Sequence, residues 1–313
     1  MKYTEKAGFK VSAMSLGTVQ LGLNYGIANT NGKPEEKQSF EMLQTALDNG
    51  ITSIDTARAY GTSEEVLGKF FKQYKGKMPF IATKIIGIEG LPANEIESKA
   101  FEVAEKSLET LGVDKVNCIM LHRGSNLFEN GDVVARAMEN LIKKGYTDSV
   151  GVSVYDAYEL EKMFEYDVYT ATQIPMSIFD QRLIASGMTD KLYERNITTF
   201  VRSVFLQGLF FLNPDTMTDP ILLEHAAPKI RLLRQCAEKE GMSVAQLAIA
   251  YMRDVRGVTS LVLGADTAEQ VKMNAEYFET KSISEETSAI IKTAFSDVDI
   301  PAIMTVLSRP KSK

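Results

Sequence analysis

Short apolar runs alternate with longer stretches of helical periodicity along nearly the whole chain. The runs at 13–17, 52–55, 79–84, 116–122, 149–154, 170–174, 198–204 and 260–263 have the length and bounds of buried strands. Between them, 35–49, 63–74, 94–111, 133–144, 157–165, 188–195, 229–239, 244–253, 267–278 and 284–295 read as helices. In the first of these, Phe40, Leu43, Ala46 and Leu47 recur at three- and four-residue spacing, and Gly50 stands where a helix-ending glycine belongs. Gly112 and Gly145 stop two others, and Ser63 with Glu64 and Glu65 suits a helix start. Residues 1–12 read as a short polar hairpin. The stretches 18–34 and 213–227 read as loops, and the tail after Pro301 carries no clear element.

Parallel strands need helical crossovers. Eight strand–helix units with no linker or composition break predict an α/β fold, a closed (β/α)8 TIM barrel with a short N-terminal β-hairpin, as one domain over 1–313. An open doubly wound sheet is the alternative. Its Gly-rich first turn would fall at Gly17-Thr18-Val19-Gln20-Leu21-Gly22, which has no GxGxxG spacing and no helix expected to start at once.

Composition narrows the picture further. The chain has 313 residues, 44% hydrophobic, enough for a large core. Its net charge of −6 argues against nucleic acid or an anionic membrane as the main partner, while leaving room for an anionic small ligand in a local basic pocket. Two cysteines, Cys118 and Cys236, lack metal-type spacing and read as buried thiols. No leader-like apolar run and no stretch of about 18 apolar residues are present, so the expected location is cytoplasmic.

In a barrel, functional groups collect at the carboxyl ends of the strands. Asp55, Lys84 and His122 end strands two, three and four. Ser153, Gln173 and Arg202 lie near the ends of five, six and seven, and Gly264-Ala265-Asp266 follows eight. Any one of these could simply begin a loop, but together they mark one rim. Tyr60 follows Asp55 by five residues. An acid, a phenol, a lysine and a histidine on one rim could form a proton-donating device.

The chain resembles the aldo-keto reductase family over roughly residues 8–295. The resemblance is carried by Gly17-Thr18 with Gly22, Asp55-Thr56-Ala57-Arg58-Ala59-Tyr60-Gly61-Thr62-Ser63-Glu64, Thr83-Lys84, 107–114, Leu121-His122, Gly151-Val152-Ser153, Gln173, and Gly264-Ala265-Asp266 leading to Gln270 and Asn274. It implies reversible hydride transfer between NADP(H) or NAD(H) and a small-molecule carbonyl or alcohol. Tyr60 would be the acid/base, Lys84 the cation that lowers its pKa, Asp55 the partner of Lys84, and His122 the group that orients the carbonyl. Cofactor contacts are implied for Gly17, Thr18, Ser153, Gln173, Arg202, Leu206, Gly208, Gly264, Asp266, Gln270 and Asn274, and substrate contacts for Tyr25 and Arg123.

Three departures stand out. Val154 replaces the usual Asn of a Ser-Asn pair that grips the nicotinamide amide. Arg202 stands where an aromatic commonly stacks on the nicotinamide, and it could instead face an anionic substrate or the pyrophosphate. Gly264, Ala265 and Gln270 occupy positions where NADP-preferring members often carry cations, with Asp266 adding negative charge and Lys272 the nearest cation. NADP(H) and NAD(H) both stay open. The polar loop 20–31, Arg123, Asn126 and Asp180, with no tryptophan in the chain, lean toward a sugar-like or hydroxyaldehyde substrate. Two competing readings are a cofactor-binding sensor on a reductase barrel and a sugar dehydrogenase running mainly in the oxidative direction. A barrel lyase or isomerase is a third, for which Lys84 would have to form a Schiff base.

Overall fold

The computed structural model describes residues 1–6 and 9–309. Strands β1 (Tyr3–Lys6) and β2 (Phe9–Ser12) pair antiparallel as the hairpin, and residues 7–8 between them lie outside the described residues. Eight parallel strands close the barrel: β3 (Met14–Gly17), β4 (Ser53–Asp55), β5 (Phe80–Ile85), β6 (Val116–Leu121), β7 (Thr147–Ser153), β8 (Tyr169–Pro175), β9 (Thr198–Arg202) and β10 (Ser260–Leu263), with β10 pairing back to β3. Helices α1 (Val19–Gly22), α2 (Glu36–Asp48), α3 (Ser63–Gln73), α4 (Ala93–Leu111), α5 (Gly131–Lys144), α6 (Ala157–Met163), α7 (Arg182–Ala185), α8 (Met188–Glu194), α9 (Pro220–His225), α10 (Ala227–Glu240), α11 (Val244–Arg253), α12 (Ala268–Tyr277), α13 (Glu285–Ala294) and α14 (Ile300–Leu307) complete the chain.

The strand period of two decides what reaches the mouth. Outward-facing residues such as Ile81, Ile85, Ile119 and Val152 join one large core with the helices. Inward-facing Phe80, Ala82, Cys118, Met120, Ala171 and Phe200 form a separate cluster inside the barrel, joined by Val11 from the hairpin. Near the hairpin, Ser15 shares hydrogen bonds with Ser53 (2.6 Å) and Ser260 (2.8 Å), so these buried hydroxyls satisfy one another. Two residues further along each strand come Gly17, Asp55, Lys84, His122, Gln173, Arg202 and Gly264. Their shared parity puts them on one rim at the carboxyl ends.

Several elements depart from the sequence expectation. A one-turn helix, α1, does start at once after β3, its Leu21 and Gly22 buried. The supposed loop 213–227 contains α9, where Asp219 accepts from Ile221 N (3.0 Å) and Leu222 N (3.3 Å) and Pro220 occupies the first turn. Proline there signals a helix start, because the first-turn N–H needs no partner within the helix. The same Asp-cap-plus-Pro arrangement, Asp299 with Pro301, starts α14 in the tail. The short α7 also escaped prediction. Strand β6 stops at Leu121, leaving His122 just beyond it, and β9 stops at Arg202.

Candidate active site

At the mouth, Asp55 ends β4 and Lys84 lies on the adjacent β5, both buried. Lys84 Nζ donates to Asp55 Oδ1 at 2.5 Å, to the Thr56 carbonyl at 3.0 Å and to the Tyr60 hydroxyl at 3.4 Å. All three ammonium donors thus find acceptors, which a wholly buried charge requires. Gln173, from β8 across the barrel, donates its amide N–H to the same Asp55 oxygen at 2.8 Å. His122 meets the Tyr60 ring edge-on, with centroids 5.9 Å apart.

Tyr60 sits on a loop, so its position has to be fixed by neighbours. A Cβ on Gly22 would lie 1.7 Å from the Tyr60 carbonyl oxygen, and one on Gly61 (φ +57°) would lie 2.5 Å from the Gly22 carbonyl. The α1 turn therefore packs backbone to backbone against this loop, a contact only glycine permits. A hydroxyl chain braces it from behind. Thr18 donates to the Asp55 carbonyl (2.8 Å), Ser63 to Thr18 (2.7 Å), and Thr56 and Ser63 share a bond of 3.0 Å. Buried Glu64 accepts from Arg58 (2.9 Å) and Thr83 (2.7 Å), tying the loop to β5.

The electrostatics differ from the sequence expectation in one respect. Burial pushes the Tyr60 phenol above its ordinary value, outweighing the Lys84 charge that lowers it. Burial acts to lower Lys84, but Asp55 and Tyr60 together hold it above its ordinary value. At neutral pH the pair is a protonated phenol beside an ammonium. Burial, followed by the charges of Lys84, Arg202 and Arg123, lowers His122 to about 4, so its imidazole is neutral. Its Nδ1 is buried with no hydrogen-bond partner among the described residues.

The remaining predicted residues divide into two groups. Ser153 is the register partner of Gln173, both buried at the rim. Arg202 donates to the Val154 carbonyl (3.3 Å) and lies 4.4 Å above the ring of Tyr155, a residue that no sequence signal singles out. Tyr25 is raised to about 12, chiefly by burial, and feels the charge of Arg202. Arg123 is exposed.

The other group lies on the β9 and β10 loops, where polar groups serve the loops themselves. Leu206 N and Gly208 N bond to Ser203 and Phe205 carbonyls. Gln270 Oε1 accepts from Asp266 N (2.7 Å), while Asn274 is buried on α12. Gly264 admits the Gln20 side chain, whose Oε1 is buried without a partner among the described residues. Of two rim residues named for polarity, Asn126 is buried with its Nδ2 lacking a partner among the described residues, and Asp180 is gripped bidentately by Arg182 at 2.8 Å. Among the described residues no cluster could hold a metal ion.

A profile of the Aldo/keto reductase family matches residues 13–295. The chain is 26% identical to the L-glyceraldehyde 3-phosphate reductase of Escherichia coli (strain K12), covering 96% of this chain and 93% of that protein. It is also 26% identical to the aldo-keto reductase YhdN of Bacillus subtilis (strain 168), covering 88% of each. Its fold matches the glycerol dehydrogenase AKR11B4 of Gluconobacter oxydans, with TM-score 0.77, 22% identity, and coverage of 99% and 97%. No helix among the described residues is long and apolar enough to cross a membrane. With Asp55, Tyr60, Lys84 and His122 gathered at the mouth of a closed barrel and the family profile spanning it, this chain belongs to the aldo/keto reductase family, oxidoreductases acting on carbonyl and alcohol groups.

Proposed function

We propose that this chain transfers hydride between a nicotinamide cofactor, NAD(H) or NADP(H), and a polar carbonyl such as a hydroxyaldehyde, with Tyr60 as the proton donor. The observation that carries it is the Lys84 ammonium held between Asp55 and the Tyr60 hydroxyl. When bound, the nicotinamide supplies or accepts the hydride.

The residues of the chain handle the proton and the charge. As negative charge grows on the carbonyl oxygen, the Tyr60 O–H gives up its proton there, and the Lys84 ammonium stabilises the phenolate left behind. Asp55 keeps Lys84 charged and aimed, and Gln173 holds Asp55. His122, neutral and with no acceptor at Nδ1, is suited to the tautomer that carries its proton on Nε2, from which it donates to the carbonyl oxygen. With its pKa raised by burial, the Tyr60 phenol is protonated at neutral pH, the form from which it donates.

Several features fit the cofactor. The Nε2 of Gln173 is committed to Asp55, which leaves its Oε1, with the Ser153 hydroxyl, for a carboxamide. A 2′-phosphate is less well served. Gln270 is turned to Asp266 N, and Lys272 lies 4.0 Å from Glu276, so the segment 264–274 offers a dianion one shared cation. This weights the reading toward NAD(H). Relatives named for L-glyceraldehyde 3-phosphate and glycerol support a short polyol skeleton. We place the activity in the cytoplasm.

Replacing Tyr60 with Phe tests the assignment. Turnover of glyceraldehyde should fall by roughly 10²–10⁴, the usual worth of general acid catalysis, while NADH and NADPH bind as before by fluorescence titration. Turnover near the wild-type rate would remove Tyr60 from the chemistry.

A further inference from the structure

We propose that Arg202 anchors an anion subsite, so that the preferred carbonyl substrate carries a carboxylate or phosphate on the same molecule. This rests on the reductase reading above. The β9 parity that brings Phe200 into the barrel interior brings Arg202, two residues on, to the mouth. Its guanidinium is held from two sides, by the Val154 carbonyl at 3.3 Å and the Tyr155 ring at 4.4 Å. Its charge is felt at Tyr25, Tyr60 and His122, so it stands beside the place where the carbonyl would react.

What it lacks is a counter-ion. Most other arginines of the chain pair with acids: Arg58 with Glu64, Arg182 with Asp180, Arg253 with Asp254. No carboxylate among the described residues lies within 4.0 Å of Arg202. Of the nearby acids, Asp55 is neutralised by Lys84, while the Glu159 carboxylate, which accepts from Tyr155 N at 2.6 Å, meets the Arg202 charge only across a gap longer than an ion pair. Arg123 adds a second positive charge beside His122. A chain of net charge −6 thus presents a mouth where Lys84, Arg202 and Arg123 outnumber Asp55 and Glu159.

A guanidinium carries five N–H donors in a rigid fork shaped for carboxylate or phosphate oxygens. Arg202 uses one of them on a backbone carbonyl, and the Tyr155 ring lies against one side of the group. Orientation is therefore set before any ligand arrives, which lowers the ordering cost of binding an oxyanion. Tyr25, on the facing loop, stands close enough to feel the Arg202 charge and can add a hydroxyl donor.

The test compares matched carbonyls with the full-length protein and NADH or NADPH: glyceraldehyde 3-phosphate against glyceraldehyde, and succinic semialdehyde against butanal. Wild type should show a kcat/KM at least roughly tenfold higher for the anionic member of one pair, the size expected of a charge-assisted hydrogen bond. The pair that responds tells phosphate from carboxylate. In Arg202→Gln the preference should collapse toward unity through KM for the anionic member, and Arg202→Lys should restore part of it. Reduction of both members with no preference overturns the anion subsite and leaves the reductase reading standing. So does an Arg202→Gln variant that slows both members equally while weakening NADH and NADPH binding, because Arg202 would then serve the cofactor. Reduction of none of the four carbonyls would overturn the reductase reading and this inference with it.

Discussion

The β4–β6 sector and the β9–β10 sector of this barrel stand in contrast. Around β4–β6, nearly every polar group that matters already has its partner: Lys84 with Asp55, Thr56 and Tyr60, Asp55 with Gln173, Glu64 with Arg58 and Thr83. Around β9–β10, among the described residues, Arg202 has no ion-pair partner and Gln20 Oε1 no hydrogen-bond partner, and the backbone turns through the left-handed region at Ser203 (φ 66°), Leu206 (φ 46°) and Gln207 (φ 57°). Such backbone costs roughly 1–3 kcal/mol per residue and persists only when the surroundings hold it. Here Ile27 N, from the β3–α2 connection, donates to the Gln207 carbonyl at 2.8 Å. The first sector is built to hold one chemistry still. The second holds its loops by their own hydrogen bonds and leaves the Arg202 charge without an ion-pair partner among the described residues, and selectivity for cofactor and substrate would act there.

Two glycines separate these sectors most strongly. Gly22→Ala would drive a Cβ into the backbone of Tyr60 and Ser63 and move the phenol. A displacement of about 1 Å can cost around 10²-fold in rate, so kcat should fall at least that far, with a lower Tm. Gly264→Ala meets only the far end of the Gln20 side chain, which can swing away. It should cost less than about tenfold, a smaller effect because no backbone stands in the way. Steady-state kinetics and thermal melts on both variants check the ranking, and equal losses would erase the difference between the sectors.

Gln173→Glu should lose roughly tenfold or more at neutral pH, because it sets a second carboxylate against Asp55. Lowering the pH from about 8 to about 5 should recover part of that loss relative to wild type, as one carboxyl takes a proton and again donates to Asp55. A pH profile running parallel to wild type would show that Gln173 does not act through Asp55.

His122 gives a stability effect with a definite sign. Its folded value, about 4, lies below the ordinary 6.5, so the unfolded chain binds more protons between these values. The stability it lends in the neutral form is complete above about 6.5 and is lost as pH falls toward about 4. Allowing for partial exposure, the loss is on the order of 2 kcal/mol. Urea melts of wild type and His122→Gln should diverge over that window, with wild type losing more as the pH drops.

The smallest expected effect lies on the β10 loop. Gln270→Arg should shift the NADPH-to-NADH affinity ratio toward NADPH by about tenfold or less, since it adds one charge-assisted contact for a 2′-phosphate. An unchanged ratio would separate this loop from cofactor choice.

How much of this was legible in the sequence follows the same divide. The barrel could be read because strand period and glycine stops are local signals, and Asp55, Lys84 and His122 because each ends an apolar strand. The contacts that give them roles span long sequence distances. Gln173 reaches Asp55 from the opposite wall, and Gly22 touches Tyr60 only because α1 forms directly after β3. Tyr155 gains meaning only once Arg202 is seen lying over it. The helices α9 and α14 hid behind prolines that mark helix starts as well as loops. The balance of burial against charge at Tyr60 depends on enclosure, which no spacing reveals.

Asp55, Lys84 and Tyr60 are expected to act as one proton-donating unit. Single-turnover reduction of glyceraldehyde by Tyr60→Phe, Lys84→Met and the double variant, each saturated with NADH or NADPH, tests it directly. Residues that act as a unit lose most of their effect in the first substitution. The double variant should therefore be no more than about threefold slower than the slower single variant. Losses that multiply would show two independent contributions and contradict the unit.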